Sequence, residues 1–152
     1  MEEPIVSKLL KIALYAVLAL GIMGIVTLPW LLPEYTWYFY GIRDLTPEYR
    51  IFIMLFLLVT AVLGLWIIVE MIRMLDSIPQ GPFIRANVRA LSRLGSILFV
   101  LATIFFAKCF IYVTLLTLGG GCLFTIAGLF ALTLANLIRQ AVIFKEENDL
   151  TI

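Results

Sequence analysis

Three arginines at helical spacing are the feature of this sequence with the clearest capacity for recognition. Arg85, Arg89 and Arg93 stand four residues apart, so on a helix they share one side. A guanidinium binds a carboxylate or a phosphate through paired hydrogen bonds. The C-terminal segment adds three carboxylates, at Glu146, Glu147 and Asp149, and we expect this tail to contact the arginine side. With Asn87, these residues predict a surface that binds a protein partner or anionic lipid.

The arginines lie in the longest polar interval of the chain, residues 76–93. Its proline and glycine cluster predicts a turn, and apolar residues recur at helical spacing from Phe83 to Leu94. An apolar side opposite an arginine side predicts a short amphipathic helix in the membrane interface, with a bend at Gly95 before the third span. A second interpretation is that the arginines only retain this loop in the cytoplasm.

Two ionisable residues near the ends of apolar segments predict a polar cluster. Glu70 and Arg139 are expected at similar depth, and small residues every fourth position before Arg139 would turn it toward the other helices. We therefore expect Glu70 to pair with Arg139, beside Asn136 and Gln140. Such a pair would fix helix register or, as the alternative, serve transport.

Lys108 lies inside the third apolar segment and past its midpoint. At about 1.5 Å per residue it should be about 15 Å or more from the level of Glu70, so those two residues should not pair. Lys108 is expected either to extend toward the outer interface or to form a buried sensor or ion site.

Composition identifies an integral membrane protein. Of 152 residues, 63% are hydrophobic and 14% are charged, and the mean hydropathy is +1.10. The net charge of +1 gives no global field for direct nucleic-acid binding. There is no histidine, no metal-binding spacing around Cys109 and Cys122, and no nucleophile motif. We expect neither an enzyme nor a bound cofactor or metal.

Hydropathy predicts an all-α fold in which four transmembrane helices form two antiparallel hairpins within a single domain. The expected spans cover about residues 9–30, 51–73, 94–118 and 122–144. The first span should stop at Pro29 and Pro33, and Gly119 to Gly121 should turn the chain between the last two spans.

Basic residues indicate the orientation of the spans. Eight fall on one side or at its edge, against Arg43 and Arg50 on the other; the eight are Lys8, Lys11, Arg73, Arg85, Arg89, Arg93, Arg139 and Lys145. The positive-inside tendency then places both termini and the tail, residues 145–152, in the cytoplasm.

Two segments resemble a known family. GPFIRANVRALSRLG at residues 81–95 and LANLIRQAVIFKEENDLTI at residues 134–152 are similar to signatures of the bacterial domain-of-unknown-function 2975 family. The resemblance covers essentially the whole chain and implies a small four-span protein of the bacterial inner membrane. Members are often encoded beside a small helix-turn-helix regulator, so it also implies a membrane partner of a DNA-binding protein.

These observations favour a regulatory or scaffolding protein that holds a cytoplasmic partner at the membrane. Membrane lipids, a helix-turn-helix regulator and further copies of the chain are the expected partners. The alternative function is a small oligomeric transporter or channel that uses Lys108 and the Glu70–Arg139 cluster.

Overall fold

The chain is all-α. The computed structural model describes residues 5–41, 46–77 and 83–149, with the side chains of Phe39, Tyr40 and Asp149 outside that description. Within those ranges it contains four helices: α1 Ile5–Tyr40, α2 Pro47–Asp76, α3 Arg85–Ile111 and α4 Leu115–Asp149. The all-α prediction is confirmed.

The helices contact one another in chain order. Contacts join α1 to α2, α2 to α3 and, most extensively, α3 to α4. Lys11 near the start of α1 pairs with Asp76 at the end of α2 (2.6 Å), so these helices run in opposite directions. We call the end where α1 and α3 begin the arginine end. The opposite end, where Tyr49 and Tyr112 lie 6.1 Å apart between ring centroids, is the aromatic end.

All four helices are long and apolar enough to cross a membrane. The shortest, α3, has 27 residues and is about 40 Å long at 1.5 Å per residue, which exceeds the roughly 30 Å of a hydrocarbon core. Large apolar side chains are exposed on every helix, among them Trp30, Leu55, Phe110 and Phe130. The buried centre is small by comparison, and includes Leu91, Leu94 and Ala135.

The first helix continues through both of its prolines, so the prediction that α1 stops there is wrong. Pro29 and Pro33 lie inside α1, which ends only at Tyr40. Helices in lipid tolerate proline because neighbouring groups can satisfy the freed backbone. The termination signal is instead Gly41, whose φ of +65° is the left-handed conformation that favours glycine after a helix.

The separate amphipathic helix and the bend at Gly95 are not observed. Arg85 begins α3, which continues through Gly95 without interruption, and residues 78–82 lie outside the described part of the chain. The apolar side chains of this region pack into the protein instead of facing a membrane interface, since Ala90, Leu91 and Leu94 are buried. Gly95 serves close packing: a Cβ there would lie 2.7 Å from the Leu132 side chain of α4.

The turn between the last two helices lies at residues 112–114, earlier than predicted, so the third helix does not reach Leu118. Thr114 provides the reason, because its hydroxyl accepts the Thr117 backbone N–H (3.2 Å) and thereby caps the start of α4. The predicted turn glycines are inside α4. A Cβ at Gly120 would lie 2.7 Å from the Phe105 ring, so the glycine lets an α3 ring approach the α4 backbone.

Candidate functional site

Glu70 is the most buried charged group in the described part of the chain, with 1% of its surface exposed. It projects from the last turns of α2 toward α3. Its carboxylate accepts hydrogen bonds from Arg73 Nη1 on the same helix (2.9 Å) and from Arg93 Nη2 on α3 (3.0 Å). Trp66 Nε1 lies 3.4 Å from the same carboxylate. This cluster ties α2 to α3 through charge-assisted hydrogen bonds.

The predicted pairing of Glu70 with Arg139 is wrong, and so is the polar cluster built around it. Asn136, Arg139 and Gln140 are all exposed on α4, which packs along α3 rather than α2. The transport alternative loses its inner charge cluster in consequence.

The periodicity of α4 explains why Arg139 faces outward. From residue 128 onward, the buried positions are Gly128, Ala131, Ala135 and Val142, with half-buried Ile138 between the last two, so the steps alternate between three and four residues. A stripe of uniform four-residue steps drifts by about 40° at each step, because a helix has 3.6 residues per turn. Arg139 is the last residue of such a four-residue stripe, so it has rotated around the helix axis away from the interface with α3.

Three arginines surround a groove between the start of α3 and the end of α4. We call it the arginine groove: a cavity of about 350 Å³ bounded by Arg85, Arg89, Arg139, Val88, Val142 and Ile143. The valine and isoleucine side chains give it an apolar floor. Among the residues that the structure describes, the Arg89 and Arg139 guanidiniums form no ion pair. The groove therefore presents two guanidiniums that are available to a negatively charged ligand.

Arg85 at the edge of the groove is paired with the C-terminal end of α4. Its Nε and Nη2 donate to the two carboxylate oxygens of Glu146, at 2.9 and 2.6 Å, in the bidentate geometry that arginine favours. Both residues lie beyond the apolar centres of their helices, and both side chains are solvent-accessible. The hydrogen bond from Arg85 lowers the pKa of the Glu146 carboxyl below its ordinary value. The predicted contact between the tail and the arginine side is thus observed at this pair.

The remaining members of the predicted recognition surface are separated from one another. Arg93 is engaged by Glu70, so it does not extend the row of Arg85 and Arg89. Asn87 is 6% exposed, and its Oδ1 accepts the Ser77 hydroxyl (2.6 Å), a contact that joins the end of α2 to the start of α3. Asn87 therefore has a structural position and is not available to a partner. Glu147 is exposed, and the Asp149 side chain lies outside the described residues.

Lys108 is buried near the aromatic end, with 3% of its surface exposed. Its Nζ donates to Thr117 Oγ1 on α4 (3.1 Å) and lies 4.9 Å from the centroid of the Phe56 ring on α2. It does not extend to the surface. Residues 93 and 108 are about 22 Å apart along α3 at 1.5 Å per residue, so Lys108 is remote from the Glu70 cluster, as predicted.

Sequence reasoning missed three polar contacts at or near the α2–α3 junction: Glu70–Arg73, Glu70–Arg93 and Ser77–Asn87. The Glu70–Arg73 pair has the three-residue spacing of helical ion pairs, and that signal was sufficient to find it. The Ser77–Asn87 contact crosses between helices and has no comparable sequence signal. Within the described residues no cluster of histidine, cysteine or carboxylate side chains could hold a metal ion.

Comparison with known proteins places these features in a family. The family described as "Protein of unknown function (DUF2975)" matches residues 23–152. The chain belongs to the DUF2975 family. The match covers α2, α3 and α4 whole, together with the arginine groove, the Glu70 cluster and Lys108. No curated protein and no solved structure matches the chain.

Proposed function

We propose that this DUF2975 protein is a non-enzymatic regulatory or scaffolding protein that holds a cytoplasmic protein at the bacterial inner membrane. In this proposal the four helices form two antiparallel hairpins with both termini in the cytoplasm. The excess of basic residues at the arginine end supports that orientation, since cytoplasmic ends of membrane proteins are enriched in lysine and arginine. The arginine groove then faces the cytoplasm.

One observation carries the proposal: two guanidiniums that form no ion pair with the described residues flank an apolar floor. Arg89 and Arg139 come from different helices, and Val88 and Val142 lie between them. A carboxylate can bind each guanidinium through two parallel hydrogen bonds. An aliphatic side chain of the same partner would bury the apolar floor of the groove, which would add to the binding free energy. An acidic segment that also carries an apolar residue therefore fits this groove best.

The family suggests which protein supplies that segment. Because members of the DUF2975 family are often encoded beside a small helix-turn-helix regulator, we propose that regulator as the partner. The membrane protein itself would not contact DNA. The groove is built from both α3 and α4, so a change in their packing would change its affinity, and the partner would be released. Membrane lipids surround the remaining surfaces, and self-association of the chain is a further prediction.

Binding of the neighbouring regulator to the full-length protein in nanodiscs tests the proposal. Arg89→Glu and Arg139→Glu should each weaken binding at least tenfold, because each places a like charge opposite an acidic segment. Binding should also weaken as salt is added. Arg50→Glu is the matched control, since Arg50 is exposed but lies near the aromatic end. Equal affinities for the wild type and both groove variants would contradict the proposal.

A further inference from the structure

The side of α4 that faces away from α3 carries a straight row of exposed residues. We call it the α4 stripe: Cys122, Ile126, Leu129, Thr133, Asn136 and Gln140. Its steps alternate between four and three residues, which is the spacing of a heptad repeat. The buried positions Ala131 and Ala135 lie on the opposite side of the helix. At 1.5 Å per residue the stripe is about 27 Å long, close to the thickness of a hydrocarbon core.

Two carboxamides lie on the α4 stripe, at Asn136 and Gln140, one helical turn apart. Among the residues that the structure describes, neither amide forms a hydrogen bond with another side chain or with the backbone. Exposed apolar side chains continue past both amides, at Ile143 and Phe144, so the amides lie within the apolar surface of the helix. Lipid offers an amide no hydrogen-bond partner, and leaving its donors and acceptor unpaired there is costly. These two groups therefore indicate a surface that another polar group covers.

The other helices do not share this feature. Neither α1 nor α2 contains an asparagine or a glutamine. The only carboxamide of α3 is Asn87, which is buried and bonded to Ser77. The third polar residue of the α4 stripe, Thr133, already donates its hydroxyl to the Leu129 carbonyl (2.8 Å). The unsatisfied amides are thus confined to one side of one helix.

A second copy of the chain supplies a matching partner for this side. A carboxamide has both donors and an acceptor, so it can pair with an identical group. Copies that share one orientation in a membrane can be related by a two-fold axis along the membrane normal. Such an axis places each residue of the α4 stripe against its own equivalent, and parallel helices with heptad spacing pack in this way. Asn136 then faces its equivalent in the second copy, as does Gln140, and such amide contacts stabilise helix pairs in lipid.

We propose that the protein forms a parallel homodimer in which the α4 stripes of two copies pack against each other, with Asn136 and Gln140 paired across the two-fold axis. The proposal assigns an interface to the self-association of the chain. No residue of the α4 stripe lines the arginine groove, so the dimer does not depend on the docking function.

Disulfide trapping of the full-length protein in native membranes tests the interface. In a background with Cys109 and Cys122 replaced by serine, cysteine would be introduced by Leu129→Cys or, as the matched control, by Phe130→Cys. The two side chains are adjacent and are 55% and 65% exposed, but they point about 100° apart around the helix axis. Copper–phenanthroline oxidation should convert the position 129 variant to a dimer about tenfold faster, because a disulfide requires close Cβ atoms. Equal rates, or no dimer from either variant, would overturn the proposal.

Fluorescence energy transfer between labelled full-length copies in liposomes tests the amides. The wild type should self-associate reversibly as the protein-to-lipid ratio rises. Asn136→Leu combined with Gln140→Leu should weaken the dimer about tenfold, which corresponds to about 1.4 kcal/mol. Thr103→Val is the matched control, because it removes an exposed polar group from α3, and it should leave the dimer unchanged.

Three results would count against the α4 interface. They are a wild type that stays monomeric at every ratio, a double variant that associates as tightly as the wild type, and a trapped product that contains a different protein. Arg89→Glu should leave the trapping and the energy transfer unaffected, so the dimer and the docking groove can fail separately.

Discussion

Replacing Glu70 by glutamine should destabilise the protein by about 2 kcal/mol. Glutamine keeps the size of the side chain but removes the charge that two arginines contact at 2.9 and 3.0 Å. Breaking a fully buried ion pair costs about 3–5 kcal/mol when the remaining charge stays buried. Here the Arg73 and Arg93 side chains are 60% and 52% exposed, so water or lipid headgroups can solvate them after the change. The cost should therefore fall below that range.

Reversible unfolding in mixed detergent micelles, followed by circular dichroism, measures this effect. Glu34→Gln is the control, since Glu34 is exposed on α1 and should change the free energy of unfolding by less than about 0.5 kcal/mol. A double-mutant cycle of Glu70→Gln with Arg93→Gln should give a coupling of about 1 kcal/mol. If the Glu70 variant is as stable as the wild type, or if the two changes are additive, the Glu70 cluster does not hold α2 to α3.

Two further predictions concern the α3–α4 pair. Gly128→Ala should destabilise the protein by about 1 kcal/mol, because its Cβ would lie 3.3 Å from the Gly95 carbonyl oxygen. Gly24→Ala is the control and should not destabilise the protein, because its Cβ would meet nothing within 4 Å. Equal changes in the free energy of unfolding for the two variants would refute close packing at Gly128. Arg85→Gln should raise the pKa of Glu146 in a carboxyl NMR titration, since the guanidinium lowers it. The stabilisation from this contact should be complete above the ordinary pKa of glutamate and lost as pH falls through the lowered value. An unchanged pKa would show that the contact does not form in solution.

The presence of four long apolar helices could be predicted from the sequence because it follows from hydropathy, whereas the ends of those helices could not. The contact of the tail with the arginine side was also predictable, and Arg85 and Glu146 form it. Both inferences rest on properties that do not depend on how the helices pack. These are the free energy of transferring a side chain from water to lipid and the charge of the side chain.

Inferences that needed helix packing failed. A repeat of small residues every four positions predicts Arg139 in the interface, although a buried stripe on a straight helix alternates between steps of three and four residues. The run of three glycines predicts a turn at Gly120, whereas this glycine lies against the Phe105 ring of α3, a contact that sequence spacing does not indicate. Pro29 predicts a helix end that is not observed, because the sequence does not show which neighbouring groups make a proline tolerable inside a helix.

Labelling of single cysteines in intact cells tests the account most directly, because the docking proposal requires the arginine groove to face the cytoplasm. In a background with Cys109 and Cys122 replaced by serine, cysteine would be introduced by Arg89→Cys at the arginine end or by Glu48→Cys at the aromatic end. The account predicts that a membrane-impermeant maleimide labels the position 48 variant from outside and labels the position 89 variant only after the cells are opened. Labelling at position 89 in intact cells would contradict it.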